Sequence, residues 1–169
     1  ANGARNVFVA DIDSDGDLDI VSASHDDDTI AWYENDGNSD PSFTKNVIST
    51  SADGARGVHI ADIDSDGDLD IVSASRIDNK IAWYANDGAN NPSWSTTTIA
   101  TSAAGARDIH IADMDNDGDL DIVSASSGDD TIAWYENDGA ANPSWTATDI
   151  SISADGARAV SYTHLRAHE

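Results

Sequence analysis

ADIDSDGDLDIVSAS, residues 10–24, returns unchanged at 61–75 and as ADMDNDGDLDIVSAS at 112–126. Around this block other words keep the same step: GAR begins at 3, 54, 105 and 156, and IAWY at 30, 81 and 132. Every interval is 51 residues, with no insertion. Self-similarity at such a period marks an array of supersecondary units that bury their apolar faces on one another. The units run over 1–51, 52–102 and 103–153, followed by the opening of a fourth over 154–160. After Val160 the agreement stops: Ser161 stands where His59 and His110 stand in earlier units, and His164 where an acidic loop would begin. The last letters resemble translated adapter sequence, so 161–169 reads as a non-native tail, and His164 and His168 carry no role.

Each unit reads as four short strands, expected in the first over 6–10, 19–24, 29–34 and 43–49. No stretch keeps a helical period. The connections are rich in turn formers, with Asn35, Asp36, Gly37 and Pro41 before the fourth strand and SADGA between units. Both strand faces carry apolar or small residues. In IAWY of the first unit, Ile30 and Trp32 point one way and Ala31 and Tyr33 the other. Sheets buried on both faces stack like blades, so the fold class is all-β: a fragment of a β-propeller, with three four-stranded antiparallel blades. A β-solenoid is the alternative, although its repeats are usually shorter. Propellers have 4–8 blades, so three cannot close a ring. Further blades of the same parent chain are expected, and an uncovered, aggregation-prone face with them.

Of 32 acidic residues against 8 Lys plus Arg, only Glu34, Glu136 and Glu169 are not Asp, and the formal charge is −24. That argues against a nucleic-acid binder, which works by neutralising phosphates. Cysteine is absent, so neither disulfides nor thiolate metal sites support the fold. No apolar run reaches the roughly 20 residues of a membrane helix. The chain opens at Ala1 without a secretion signal and its one Met is Met114, so it reads as an internal piece.

Five carboxylates within nine residues repel one another unless a cation sits among them. Side chains at loop positions 1, 3 and 5 converge when the backbone curls, Gly at 6 permits the curl, position 7 offers its carbonyl and position 9 another carboxylate. Oxygen-only ligands at this density suit Ca²⁺, which takes 6–8 oxygens at 2.3–2.6 Å, rather than Zn²⁺ or a hydrated Mg²⁺. Three calcium sites are therefore expected. Their ligands are Asp11, Asp13, Asp15, the Asp17 carbonyl and Asp19; Asp62, Asp64, Asp66, the Asp68 carbonyl and Asp70; and Asp113, Asp115, Asp117, the Asp119 carbonyl and Asp121. Leu18, Leu69 and Leu120 are read as apolar anchors of the loops. An EF-hand is excluded because its twelfth position, a bidentate Glu on a helix, is Ser22, Ser73 or Ser124 in a strand-like segment. A solvated acidic turn is the bland alternative.

These DIDSDGDLDIV loops and IAWYENDG turns resemble the FG-GAP or VCBS-type repeats, the calcium-loop propeller blades also found in integrin alpha subunits. The resemblance covers all three units. It implies a calcium-bearing propeller in secreted or cell-surface proteins that bind proteins or glycans, as in cell adhesion. The FG-GAP tetrapeptide itself is missing.

The remaining residues give little chemistry. Arg5, Arg56, Arg107 and Arg158 are expected to pair with neighbouring Asp, anion recognition being the other reading. Trp32, Trp83 and Trp134 read as core; Trp94, Trp145 and Phe43 read as packing groups that could also stack on a glycan. Phe8, His59 and His110 share one semi-apolar slot. The loops at 25–28, 76–79 and 127–130 differ most between copies and read as unconstrained surface. Every Asp cluster is repeated threefold whereas a reaction needs one asymmetric site, so a binding module is expected rather than an enzyme. The alternatives are the non-catalytic part of a propeller-fold polysaccharide lyase or hydrolase, or a passive spacer.

Overall fold

The structure, a computed structural model, describes residues 1–160. Twelve strands follow one another: β1 (Ala4–Ala10), β2 (Asp19–Ser24), β3 (Thr29–Asn35), β4 (Phe43–Ser49), β5 (Ala55–Ala61), β6 (Asp70–Ser75), β7 (Lys80–Asn86), β8 (Trp94–Ala100), β9 (Ala106–Ala112), β10 (Asp121–Ser126), β11 (Thr131–Asn137) and β12 (Trp145–Ser151). They form three separate sheets ordered β1-β2-β3-β4, β5-β6-β7-β8 and β9-β10-β11-β12, each an antiparallel meander. Strand β1 begins two residues earlier than expected. The reason is a bulge at Arg5: Ala4 pairs with Ser24 and Asn6 with Ala23, so Arg5 is the extra residue. Strand β3 runs one residue further because Asn35 still pairs with Phe43.

The alternation of side chains assigns one face of each sheet to the sheet before it and one to the sheet after. Val21, Ala23, Ile30 and Trp32 of the first sheet meet Val58, Ile60, Ile71 and Tyr84 of the second. Val72, Ala74, Ile81 and Trp83 of the second meet Ile109, Ile111, Ile122 and Tyr135 of the third. The small residues of VSAS are buried between sheets, and Ser73 Oγ lies 3.3 Å from Tyr84 OH. Neighbouring sheets approach most closely along their first strands, β1 beside β5 and β5 beside β9. At Gly57 an added Cβ would stand 3.1 Å from the backbone of Arg107 and Asp108, so a larger residue there would push the two strands apart by a few tenths of an ångström. The last strands, β4, β8 and β12, are largely exposed along their length. First strands close together and last strands apart are the geometry of blades set around an axis. Along those inner strands Phe8, His59 and His110 form a row of ring contacts, one tilted and one edge-to-face, with centroids 4.8 and 5.2 Å apart. Burial, then the neighbouring His110, pushes the His59 imidazole below its ordinary pKa.

The first sheet has no sheet before it, and the consequence is direct. Val7 and Val9 are 58% and 51% exposed, whereas their counterparts Val58 and Ile60 are 4% and 7% exposed. Leu69 and Leu120 pack against the inter-sheet cores as expected, but Leu18 is 61% exposed. The anchor role therefore belongs to sheet stacking: the leucine reaches the preceding sheet, and Leu18 has none to reach. Among the tryptophans, Trp32 and Trp83 are core, and Trp94 and Trp145 pack against it, half-buried. The tail over 161–169 lies outside the described residues.

Candidate metal centre

Each acidic loop joins the first strand of a sheet to the second. Two left-handed residues make it curl: Ser14, Ser65 and Asn116 at φ between 59° and 64°, then Gly16, Gly67 and Gly118 at φ 98° to 103°. The first Asp holds the curl from inside. Asp11 accepts hydrogen bonds from the amides of Asp15 (3.1 Å) and Gly16 (3.0 Å), and Asp62 does the same with Asp66 and Gly67. In the third loop Asp113 accepts from Asn116 at 2.7 Å and Gly118 at 3.2 Å.

The last Asp fastens the loop to the sheet. Asp19, Asp70 and Asp121 are buried, and each uses both oxygens on backbone amides: Ile12 and Asn35, Ile63 and Asn86, Met114 and Asn137. Burial pushes the Asp70 carboxyl up to about 7, although the two amides pull the other way. Asp17, Asp68 and Asp119 turn their side chains onto Gly37, Gly88 and Gly139, where any Cβ would collide with the carboxylate. The acidic loop and the Asn-Asp-Gly turn thus share one end of every sheet.

Within this frame the structure brings carboxylates together in each repeat. Oxygens of Asp11, Asp13 and Asp15, of Asp62, Asp64 and Asp66, and of Asp113, Asp115 and Asp121 all lie within 4.8 Å of one another. Two oxygens on one calcium ion at 2.3–2.6 Å can be at most about 5 Å apart, so the donor sets fit this ion. A second observation agrees. Asp13 Oδ1 and Asp64 Oδ1 are shielded from solvent and accept no hydrogen bond, which leaves a charged acceptor without a donor. Burial, then neighbouring carboxylates, raises the pKa of Asp13 and Asp64. Asp115 moves in the same direction for the same leading cause. Each is a place where a cation would relieve a cost the bare loop carries.

The expected ligand sets and the observed groups overlap without coinciding. Asp19 and Asp70 stand outside the groups of three, while Asp121 joins its group. In the third loop Asp117 is outside, and its amide goes to Asp115 Oδ1 at 3.2 Å, where the equivalent amides of Asp15 and Asp66 go to the first Asp of their loops. Residues exit the loop into β2, β6 and β10, never into a helix.

Two sets of residues that the sequence reading passed over turn out to hold the units together. Asn86 Nδ2 donates to Ile12 O of the preceding loop and to Leu69 O of its own, each at 3.2 Å, and Asn137 does the same with Ile63 and Leu120. Asp28, Asn79 and Asp130 sit at positive φ and accept the amides of Gly54, Gly105 and Gly156 at 2.8–2.9 Å. The signal was there in the repetition of Asp at the third place and Asp or Asn at the fourth of a loop whose first two places vary.

The family of FG-GAP-like repeats matches three overlapping stretches, residues 11–73, 65–124 and 113–163. The chain belongs to this family. Each match begins within an acidic loop, and the first two extend into the following sheet. No curated protein matches the chain.

Proposed function

We propose that this FG-GAP-like chain is a calcium-dependent, non-catalytic repeat module that acts outside the cell, its assembled loops presented to a protein or glycan. The observation that carries the calcium reading is the orphaned oxygen of Asp13 and of Asp64, each inside a group of three carboxylates at one place in the repeat. Extracellular calcium modules bind at about 10⁻⁴ to 10⁻³ M, a range in which the ion loads outside the cell and leaves within it. Three ions would bring the formal charge from −24 to −18. Because the first loop is bonded to the second sheet through Asn86, and the second loop to the third sheet through Asn137, a bound ion stiffens the joint between units as well as its own loop.

Calorimetric titration with Ca²⁺ tests this. Three sites per chain are expected, with Mg²⁺ a poor substitute, and Asp13→Asn, Asp64→Asn and Asp115→Asn each removing one. Absence of binding up to about 10 mM Ca²⁺, well above the affinities of such modules, would overturn the reading. Protein and glycan arrays probed with and without calcium test the partner.

A further inference from the structure

The arginine of each GAR lies at the end of the inner strand opposite the acidic loop. Arg5 and Arg56 are the extra residues of β-bulges, and Arg107 is the extra residue of the same bulge in the third sheet. Bulges re-aim side chains, and these three converge. Together with Arg158, Asn6 and Asp108, they line one cavity of about 240 Å³.

Pairing with neighbouring Asp was the expected role, and the structure does not bear it out. Among the described residues none of these four arginines has a carboxylate oxygen within 4.0 Å. Arg107 Nε donates to Ser127 Oγ, and Arg56 Nε is shielded from solvent without any acceptor. Asp108, the one carboxylate in the lining, accepts the amide of Val160 at 2.9 Å. In a chain with only 8 basic residues against 32 acidic ones, Arg5, Arg56, Arg76, Arg107 and Arg158 are near enough to repel one another electrostatically. The acidic loop begins six residues along the strand from Arg5, about 20 Å at 3.3 Å per residue. That exceeds the ~8 Å Debye length at physiological salt, so the loops do not offset this charge.

A converging set of guanidinium forks with an unfilled donor is matched by an acceptor-only ligand of tetrahedral shape. We propose that Arg5, Arg56, Arg107 and Arg158 form a binding site for a tetrahedral oxyanion, sulfate or phosphate, free or as a terminal ester group. The site is independent of the calcium loops. It accounts for why like charges gather at one place in a strongly acidic chain, and for why Arg56 Nε is buried with nothing to donate to.

The test is a calorimetric titration of the calcium-loaded chain with sodium sulfate, chloride being adjusted to hold ionic strength constant. Saturable binding of one sulfate per chain is expected. In Arg56→Gln/Arg107→Gln the affinity falls at least tenfold while the calcium titration is unchanged, which separates this site from the loops. With chloride alone the single variant Arg56→Gln melts no lower than the parent, because repulsion has been relieved and Arg56 Nε has no hydrogen bond to lose. Phenyl sulfate distinguishes the sources: affinity equal to that of sulfate assigns the site to an ester group, weaker affinity to the free anion. No saturable binding of either probe, equal binding by the double variant, or a lower melting temperature in chloride, which would mean the arginines brace the fold, overturns the proposal.

Discussion

Asn35, Asn86 and Asn137 occupy one position in three sheets, yet they should not be worth the same. Truncating Asn86 to Ala removes its donations to Ile12 O and Leu69 O and the bond that Gly88 N makes to its Oδ1 at 3.0 Å, at a side chain only 6% exposed. At about 1 kcal/mol net per hydrogen bond, with 1–3 kcal/mol for a carbonyl left buried and unpaired, the loss should be about 3 kcal/mol. Asn35 bonds only Leu18 O and Gly37 N, in a half-buried setting where water replaces both, so Asn35→Ala should cost about 1 kcal/mol. In a chain of this length 1 kcal/mol moves the melting temperature by about 2–4 °C. Thermal unfolding in saturating calcium should therefore fall by about 6–12 °C for Asn86→Ala and about a third of that for Asn35→Ala. Because Ile12 lies between Asp11 and Asp13, Asn86→Ala should also weaken one of three calcium sites. Equal losses at the two positions would refute the reasoning, since the difference rests entirely on the bond between sheets.

Other expectations follow from the same geometry. Calcium at 100 times its dissociation constant stabilises by about 2.7 kcal/mol per site, so three sites give about 8 kcal/mol, and excess chelator should lower the melting temperature by about 15–30 °C; an unchanged melt of protein verified metal-free would count against the sites. In the metal-free chain Asp70, raised to about 7, keeps a proton in the fold that the unfolded chain releases near its ordinary 3.8. That contribution is full below about pH 4 and is lost as pH rises toward 7, with Asp13 and Asp64 shifted in the same direction. Metal-free protein should therefore melt higher at pH 5 than at pH 7.5, with Asp64→Asn flattening the slope; a melt that rises with pH would contradict it. Gly88→Ala meets both a left-handed φ of 67° and the Asp68 carboxylate, whereas Gly67→Ala meets a φ of 100° with nothing within 4 Å. Gly88→Ala therefore adds a collision to a backbone cost of about 1–2 kcal/mol, whereas Gly67→Ala pays only for a φ beyond the left-handed region; both denaturant midpoints should fall, and an unchanged midpoint for Gly88→Ala would count against the close Asp68 contact.

What could be read from the sequence was whatever repeats locally. The 51-residue step gave the units, the alternation in IAWY gave two-faced sheets, and the Asp-x-Asp-x-Asp-Gly spacing gave the curled loops, because each is fixed by neighbours within a few residues. What escaped reading depends on the next sheet. Leu18 and Leu69 sit in the same local sequence, and only the absence of a sheet before the first separates an exposed leucine from a packed one. The last Asp of each loop depends on a neighbouring strand as well: Asp19, Asp70 and Asp121 each hold an amide from a strand 16 residues away, an arrangement that spacing within the loop does not reveal.

The arginines carry that reasoning one step further. In sequence each GAR lies close to an Asp, such as Asp53 before Arg56 or Asp108 after Arg107, and pairing looked natural. The bulge changes the outcome, because the extra residue is re-aimed into the cavity along the inner strands, where the one carboxylate in the lining, Asp108, accepts the Val160 amide instead. Three identical local distortions then sum into one concentrated charge, since the first strands are the ones that approach most closely around the axis. A repeat that places its acids at one end of this strand and its arginine at the other therefore builds two opposite sites as it stacks. The acidic site is complete within a single unit, whereas the basic one exists only where several units meet, so partial unfolding of the array should abolish oxyanion binding before it abolishes the last calcium site.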